Sequence, residues 1–379
     1  MAKVFVPCEK SSGETRVAAV PETVKKLVET GFTVSIEKGA GSNAHIPDES
    51  YESTGAAIVE GDVPWFEADL VLKVAPPTVE EASRLKKGST LVAFIAPHRN
   101  LEVVEKLAGG EVSTLAMELI PRITKAQSMD ALSSQASLAG YKAVVLAATK
   151  LGRYFPLLMT AAGTIPPAKV VIMGAGVAGL QAIATAKRLG AVVEVSDIRE
   201  AVKEQVVSLG GRFIELPMKE SGEGSGGYAR EMGEDFLTKQ REIVTKHVAA
   251  ADVVITTAQI PGKKAPVLLT REMVEKMRPG AVVIDMAVES GGNCEMSRMD
   301  EEVTTARGTR IIGISNLPAT APDDASLLYA RNVLTLVTYL AKEGKLVFDM
   351  NDEITRETLL THEGRVVHEP TAALMKGAG

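Results

Sequence analysis

Short apolar runs alternate with amphipathic stretches along the first third of the chain. The runs KVFVP, FTVSIEKG, ADLVLKV, TLVAFIA and EVSTLAM have the length and the β-branched content of strands, whereas the apolar positions of PETVKKLVET have helical spacing. Strands that alternate with helices are typical of a parallel sheet with crossover helices. The pattern therefore predicts an N-terminal α/β domain.

A second alternating series begins after Pro166 and Pro167. It predicts six strands, at 169–173, 192–195, 212–215, 253–257, 282–286 and 310–314. Strands separated in this way by helices suit a doubly wound, mostly parallel sheet. The fold class expected for the chain is thus α/β, with two Rossmann-like domains and a cleft between them.

The segments around the second series suggest the domain boundaries. Residues 119–137 are polar and irregular, as expected between two domains, and a helix rich in small residues begins at residue 138. The stretch 324–342 has helical periodicity, and LVFDMNDE with GRVVHEP is typical of a hairpin, which needs a sheet to join. The expected organisation is a discontinuous first domain of 1–130 plus 343–379, a second domain of 138–318, and a linking helix at 319–342.

Length and charge exclude some classes of protein. With 379 residues, 45% of them hydrophobic and 24% charged, the chain is long enough for two folded domains. Its formal net charge of −6 arises from 42 basic and 48 acidic residues, without the basic face that a phosphate backbone requires. Nucleic acid is therefore not an expected partner.

The two cysteines, Cys8 and Cys294, have no second Cys or His at a metal-ligand spacing. We therefore expect no metal site and a reducing, cytoplasmic setting. The N-terminal MAKVFVPCEK is typical of a strand and not of an export signal. Apolar runs are well below the roughly 18 residues that span a bilayer, so no direct membrane span is expected.

The strongest motif is VVIMGAGVAGLQAIATAKRLGA, which places Gly174, Gly176 and Gly179 in GxGxxG spacing between a strand and a helix. Gly174 permits the tight turn, Gly176 lets a pyrophosphate approach the backbone, and Gly179 lets the helix lie close to the sheet. The helix N-terminus then faces the phosphate charge. Because glycine turns also occur for packing alone, the motif needs support from its context.

That support comes from Asp197, which ends the next predicted strand 23 residues after Gly174. A carboxylate there can accept hydrogen bonds from the adenosine ribose hydroxyls and disfavours a 2′-phosphate, so NAD(H) is preferred over NADP(H). The neighbouring Arg199 would soften this discrimination and is itself a candidate cofactor-binding residue. The other interpretation of Asp197 is a helix cap.

Four segments carry a family resemblance: PRITKAQSMDALSSQASLAGY, MTAAGTIPPAKVVIMGAGVAGLQAIATAKRLGA, GGYAREMGEDF and VIDMAVESGGNC. They resemble the NAD(H)-binding component, the soluble first portion of the alpha subunit, of proton-translocating NAD(P) transhydrogenase, in the alanine dehydrogenase/transhydrogenase superfamily. The resemblance covers nearly the whole chain. It implies a homodimer that presents NADH for direct hydride transfer to NADP+ on an NADP(H)-binding component.

The same resemblance implies a membrane-spanning component that couples hydride transfer to proton translocation. The chain would then be cytoplasmic and peripherally attached to the inner membrane through its partner subunits. Transhydrogenase activity is expected only when those partners are present. The helix from residue 324 onwards is a candidate dimer contact, although its apolar positions could equally belong to the core of the chain itself.

The resemblance also implies site residues. Arg122, Gln127, Asp130 and Ser133 correspond to the family's nicotinamide-positioning loop, in which Arg122 and Asp130 would pair and Gln127 and Ser133 would bind the carboxamide or ribose. The alternative is a solvated loop with a surface ion pair. Further nucleotide contacts are implied at Val177, Ile198, Gly227, Ala258 and Gln259.

A glycine-rich segment at 217–235 resembles the family's mobile loop, whose closure would bring Tyr228 near the adenosine. An irregular stretch of this length is uncommon unless it moves or binds. A flexible surface insertion is the alternative.

Alanine dehydrogenase is the rival, because it shares the architecture. Lys73 in LVLKVAPP matches its carboxylate-binding lysine. However, Ala96 stands where that family has its catalytic histidine, and Glu289 stands where it uses an aspartate. Oxidation of an amino acid needs a general acid/base, whereas hydride transfer between two nicotinamides does not. We interpret His98 as a surface or core histidine. A third possibility is an NAD(H)-sensing module without turnover.

Overall fold

The computed structural model describes residues 1–216, 234–260, 263–342 and 344–377. The chain divides into two compact units, one made of Met1–Gln135 with Ala319–Gly379 and the other of Ala136–Pro318. Each unit is an α/β sandwich built around one large sheet.

The first unit contains one eight-stranded sheet. Its strands are β1 (Lys3–Val6), β2 (Thr33–Glu37), β3 (Ala57–Val59), β4 (Leu70–Leu72), β5 (Thr90–Ala93), β6 (Ser113–Ala116), β18 (Leu359–His362) and β19 (Arg365–Val366). Their order is β19-β18-β6-β5-β4-β1-β2-β3. Strands β1 to β6 pair in parallel, whereas β18 is antiparallel to both β6 and β19. The order of β1 to β6 is that of a Rossmann sheet, which reverses between β1 and β4.

Helices cover both faces of this sheet. They are α1 (Pro21–Glu29), α2 (Asp48–Glu52), α3 (Val63–Glu67), α4 (Val79–Arg84), α5 (Leu101–Gly109), α11 (Pro322–Leu340), α12 (Glu353–Thr358) and α13 (Glu369–Gly377). Successive residues of β1 alternate between two buried clusters, Val4 and Val6 in one and Phe5 in the other. This alternation is the period of a strand with apolar neighbours on both faces.

The second unit contains a seven-stranded sheet. Its strands are β9 (Lys169–Met173), β10 (Val192–Ser196), β11 (Arg212–Phe213), β12 (Val253–Thr256), β13 (Val282–Asp285), β14 (Glu301–Thr304) and β15 (Arg310–Gly313). The order is β11-β10-β9-β12-β13-β15-β14, with only β14 antiparallel among these described strands. This sheet also has Rossmann order, and it reverses between β9 and β12.

The helices of the second unit are α7 (Val177–Arg188), α8 (Lys203–Ser208), α9 (Glu234–Ala250) and α10 (Arg271–Glu275), preceded by α6 (Ala131–Lys150), which begins in the first unit. Two small hairpins lie outside the large sheets: β7 (Leu158–Thr160) with β8 (Gly163–Ile165), and β16 (Ala341–Lys342) with β17 (Lys345–Leu346).

The two mostly parallel sheets confirm the predicted α/β class, and each predicted strand of the second series overlaps an observed one. Three features were not predicted from the sequence. Strand β3 has only three residues, β14 is a polar edge strand with mostly exposed residues, and β7 with β8 is largely exposed. None of them has the apolar period of a buried strand.

Two expectations about the C-terminal third differ from the structure. The 319–342 segment is not a separate linking helix, because Tyr329, Val333 and Leu336 of α11 are buried in the core of the first unit. LVFDMNDE and GRVVHEP do not form one hairpin, because Leu346 ends β17 while β19 pairs with β18. The returning chain reaches the first sheet through β18, which pairs with β6.

Candidate functional site

The glycine turn lies between β9 and α7 in the second unit. Gly174 has φ +106°, a backbone conformation that residues with a Cβ rarely adopt, and a Cβ there would lie 2.5 Å from the Thr257 hydroxyl oxygen. A Cβ on Gly179 would lie 2.0 Å from the Gly174 carbonyl oxygen. The protein's own packing therefore requires glycine at both positions.

Gly176 differs from the other two glycines of the motif. A Cβ at this position would meet no protein atom within 4 Å, and its φ of −76° is open to any residue. Internal packing therefore gives no reason for glycine here. Close approach of a ligand to the backbone does give one, since Gly176 is the N-cap of α7 and lies at the positive end of the helix dipole.

The turn stands at the point where the strand order reverses. Thr257, Ala258 and Gln259 follow β12, the strand on the other side of that point, and the Thr257 hydroxyl donates to the Gly174 carbonyl at 3.1 Å. Ligands of open α/β sheets bind at such reversal points, beyond the carboxyl ends of the strands. The structure thus brings Gly174, Gly176, Gly179, Val177, Ala258 and Gln259 to one edge of the second sheet.

The backbone at Ala258 is held by Asn293, a buried residue that no sequence motif indicated. Its side chain accepts from the Ala258 amide at 3.0 Å and donates to the Ala258 carbonyl at 2.9 Å and the Pro266 carbonyl at 2.8 Å. Asp285 in turn accepts from the Cys294 amide at 3.0 Å. The segment VIDMAVESGGNC contains both Asp285 and Asn293, but only the contacts show that they fix this loop.

Asp197 and Arg199 follow β10, next to the glycine turn. The Asp197 side chain is only 4% exposed and accepts from the Ala175 amide at 2.6 Å, which ties it to the turn. Its oxygens also accept from the backbone amide, Nε and Nη2 of Arg199. Ile198 between them is half-buried. Asp197 therefore lies where the motif predicts, with an arginine already on its carboxylate.

The predicted nicotinamide-positioning residues lie in the first unit, around the 3-10 helix Thr124–Met129. The side chains of Arg122 and Gln127 are exposed. The Asp130 carboxylate accepts from the Ser133 amide at 2.9 Å and from the Ser133 hydroxyl at 2.6 Å. Ser133 is thus a hydrogen-bond partner of Asp130, and the expected pairing of Asp130 with Arg122 stays a prediction. Asp130 caps the start of α6, which begins at Ala131 and not at residue 138.

Asn332 on α11 forms hydrogen bonds to the chain before and after Asp130. It donates to the Ser128 carbonyl at 2.9 Å and accepts from the Ser134 hydroxyl at 2.7 Å, on either side of Asp130. Ala126 and Met129 are buried in the core beneath. The loop is therefore a supported structure that presents Gln127, and no sequence motif pointed to Asn332 as its support.

The two remaining predicted contacts, Gly227 and Tyr228, lie outside the described residues. So does most of the predicted mobile loop. Their assignment stays a prediction.

Lys73 lies at the reversal point of the first sheet, directly after β4. Its side chain is 1% exposed, and its ammonium lies 3.0 Å from a Glu9 carboxylate oxygen and 3.6 Å from one of Glu81. Burial raises the pKa of Glu9, and the Lys73 charge offsets part of that rise. The structure therefore shows Lys73 in a buried ion-pair cluster with carboxylates of the chain itself.

The positions that bear on amino-acid chemistry are Ala96, His98 and Glu289. Ala96 has φ +48°, and its amide and that of Ile95 donate to Glu118, whose pKa is raised by burial. Both His98 and Glu289 are exposed. His98 is thus a surface histidine, and partial burial of its ring and the charge of Arg99 lower its pKa.

The described part of the chain offers neither a metal cluster nor a membrane helix. It contains no group of three or more His, Cys, Asp or Glu side chains that could hold a metal ion. None of its helices combines the length and apolar character that crossing a membrane requires.

Known proteins match this chain over both units. The family described as "Alanine dehydrogenase/PNT, N-terminal domain" matches residues 5–139, and "Alanine dehydrogenase/PNT, C-terminal domain" matches residues 143–369. The chain belongs to the alanine dehydrogenase/PNT family. Within this family, it is 48% identical to a Rhodospirillum rubrum protein named as the first portion of NAD(P) transhydrogenase subunit alpha, over 97% of this chain and 98% of that protein.

Both branches of the alanine dehydrogenase/PNT family are represented among its relatives. The transhydrogenase structure from Sinorhizobium meliloti superposes with a TM-score of 0.88 at 47% identity, covering 96% of this chain and 100% of the other. The alanine dehydrogenase of Mycolicibacterium smegmatis is 30% identical over 97% of this chain and 95% of that protein. Identity is thus higher to these transhydrogenase members than to this alanine dehydrogenase.

Proposed function

We propose that this chain is the NAD(H)-binding subunit of a proton-translocating NAD(P) transhydrogenase. It presents NADH for direct hydride transfer to NADP+ on a separate NADP(H)-binding component, and a membrane-spanning component couples the transfer to proton translocation. The carrying observation is the glycine turn at the reversal point of a Rossmann sheet, in a chain whose R. rubrum relative bears a transhydrogenase subunit name. The chain is then cytoplasmic and attached to the inner membrane through these partners.

The glycine turn supports a dinucleotide as the ligand. The pyrophosphate lies against Gly176 and the N-terminus of α7, where a side chain would obstruct it and where the helix dipole favours negative charge. Val177 begins that helix, and Ala258 and Gln259 border the same edge of the sheet. These residues bind and orient the nucleotide, which itself supplies the hydride.

The loop around Gln127 supports positioning of the nicotinamide ring. Gln127 offers an exposed amide, and Ser133 a hydroxyl that Asp130 orients, for hydrogen bonds to the carboxamide or ribose. Arg122 is exposed on the same loop. Hydride transfer between two nicotinamides needs alignment and exclusion of water, not a proton donor, and the loop provides groups suited to alignment.

Asp197 supports NAD(H) as the nucleotide bound by this chain. A nearly buried carboxylate after the second strand of a Rossmann sheet accepts hydrogen bonds from ribose hydroxyls and repels a 2′-phosphate. NADP(H) would then belong to the partner component. Ile198 and, by resemblance, Gly227 and Tyr228 complete the adenosine contacts in this proposal.

We also propose that the subunit is a homodimer. The α11 helix, the contact that the sequence suggested, has its apolar side chains in the core of its own unit. A better candidate is the β7–β8 hairpin, where Met159 is 77% exposed and Leu157 is exposed beside it. Apolar side chains on an isolated two-stranded hairpin favour burial against a second copy.

The decisive test measures hydride transfer from NADH to an NADP+ analogue with a distinct absorbance. The purified chain is assayed alone and with a purified NADP(H)-binding component of the transhydrogenase family. We expect rapid transfer only with that partner. Saturable NADH binding with no transfer in its presence would overturn the proposal.

An assay of the same sample with NADH, pyruvate and ammonia tests the rival activity. We expect no turnover, because Ala96 has no imidazole and Lys73 is held by Glu9 and Glu81. Alanine formation at a rate comparable to a dehydrogenase would favour the other branch of the family. Absence of both activities would leave an NAD(H)-sensing role.

A further inference from the structure

The Asp197 carboxylate accepts four hydrogen bonds in the described structure. Two come from backbone amides, Ala175 to Oδ2 at 2.6 Å and Arg199 to Oδ1 at 2.8 Å. The other two come from the Arg199 guanidinium, Nε to Oδ1 at 3.0 Å and Nη2 to Oδ2 at 2.7 Å. Each oxygen therefore has one backbone donor and one guanidinium donor.

These four hydrogen bonds occupy every acceptor site of the Asp197 carboxylate. An ionised carboxyl group has about four lone-pair sites, and all of them are used here. The backbone donors belong to the glycine turn and to the chain after β10, so they stay as long as the fold is intact. The guanidinium donors belong to a side chain that can rotate away, although it is only 13% exposed in this conformation.

A ribose diol makes the same type of contact as the guanidinium fork. Both present two donors side by side to the two oxygens of one carboxylate. The Arg199 side chain and an adenosine ribose therefore compete for the same two acceptor positions on Asp197. The charge-assisted arginine bonds, at low exposure, make that competition costly for the ligand.

We propose that Arg199 is an internal occupant of the ribose-binding carboxylate, which NADH must displace when it binds. This inference rests on the proposed NAD(H) site. Arg199 is then a positioning residue that sets nucleotide affinity: it neutralises Asp197 before the ligand arrives and leaves when the diol takes its place. A subunit that must release its nucleotide in every cycle would benefit from such a group, because it speeds the return to the free state.

The test compares the unchanged protein with the Arg199→Ala and Arg199→Lys variants. NADH dissociation constants are measured by titration calorimetry at constant ionic strength. We expect Arg199→Ala to bind NADH about tenfold more tightly, which corresponds to ~1.4 kcal/mol. The NADH dissociation constant of Arg199→Lys should lie between those of the unchanged protein and Arg199→Ala. An ammonium keeps the positive charge but does not form the two parallel hydrogen bonds of a guanidinium. Dissociation of NADH in stopped flow should slow by a similar factor.

Three controls isolate the mechanism. Reduced nicotinamide mononucleotide, which lacks the adenosine ribose, should bind all variants alike. Arg153→Ala removes an arginine from another buried aspartate of this unit, Asp252, and should leave NADH affinity unchanged. When Asp197 is replaced by Asn, Arg199→Ala should no longer tighten NADH binding, because the carboxylate for which Arg199 and the ribose compete is absent.

Each outcome has a defined meaning. Weaker or equal NADH binding by Arg199→Ala overturns the inference, since it makes Arg199 a direct ligand contact or irrelevant. An equal gain for Arg153→Ala or for the mononucleotide also overturns it. If the unchanged protein does not bind NADH at all, the proposed function fails first.

Discussion

The six parallel strands of each sheet have the same order, but the chemistry differs where that order reverses. Between β9 and β12 the chain forms a glycine turn that opens onto the N-terminus of α7. Between β1 and β4 it forms a buried ion-pair cluster of Lys73 with Glu9 and Glu81. At one reversal point a side chain on Gly176 would meet no protein atom, and the other reversal point is filled by the chain's own charges.

The difference shows that the Rossmann topology provides a location and not a function. The nucleotide binding that we propose for the second sheet depends on three glycines: packing requires glycine at Gly174 and Gly179, and approach of the ligand requires it at Gly176. In the first sheet the loop after β1 instead places the Glu9 carboxylate at the reversal point, where its charge would repel a pyrophosphate. The proposed contribution of the first unit comes from the loop around Gln127, which α11 supports through Asn332.

The largest effect is expected at the ion-pair cluster. Lys73→Met removes the buried cation between Glu9 and Glu81 and should lower the free energy of unfolding by about 3–5 kcal/mol, as measured by urea denaturation. The triple variant that adds Glu9→Gln and Glu81→Gln should recover part of this loss. A loss below ~1 kcal/mol would mean that the cluster is not a structural element of the first unit.

Gly179→Ala should have the next largest effect. The new Cβ would overlap the Gly174 carbonyl, so α7 must move away from the turn, at a cost of about 2–3 kcal/mol in stability. NADH binding should be lost in the same variant. Unchanged thermal stability would show that the close approach of helix and turn is not required.

Gly176→Ala is the matched variant in the same turn. Since its Cβ meets no protein atom, stability should change by less than about 1 kcal/mol. NADH binding should nevertheless weaken at least about tenfold, because the methyl group obstructs the pyrophosphate. Normal NADH affinity in calorimetry would argue against pyrophosphate contact at Gly176.

Gln127→Asn tests the loop of the first unit. The substitution shortens the side chain by one methylene, so its amide lies farther from the nicotinamide ring of the proposed complex. The adenosine contacts stay intact. Hydride transfer to the partner component should slow about tenfold, with the NADH dissociation constant changed by less than about threefold. A change in affinity with no change in the transfer rate would count against the assignment of this loop.

The smallest effect concerns the cysteines, one in each unit. Burial raises the pKa of Cys8 to about 11 and that of Cys294 to about 12, so at about pH 8 both thiols should react with iodoacetamide far more slowly than in the unfolded chain. Because the folded pKa exceeds the unfolded one, the thiols favour the unfolded state as the pH rises above about 9. Rapid alkylation of Cys294 in the folded protein under these conditions would show that the core around it opens.

Sequence patterns were sufficient for the regions of the molecule that local rules control. Strand positions in both units followed from apolar runs, because strands buried on both faces have few alternatives. The glycine turn and Asp197 followed from spacing, because the geometry of a strand, turn and helix allows few residue types. The three-residue β3 and the polar β14 could not be found in this way.

Only the tertiary structure could decide which partner each charged or polar side chain takes. The fold gives Asp130 two hydrogen bonds from Ser133 that no sequence pattern indicated. It also gives the Asp197 carboxylate the guanidinium of Arg199, which in the sequence is only a neighbour. Lys73 meets Glu9 across 64 residues of chain, Asn293 meets Ala258 across 35, and Asn332 meets Ser128 across 204. Such pairings depend on where separate elements meet in space, and no local pattern encodes that meeting.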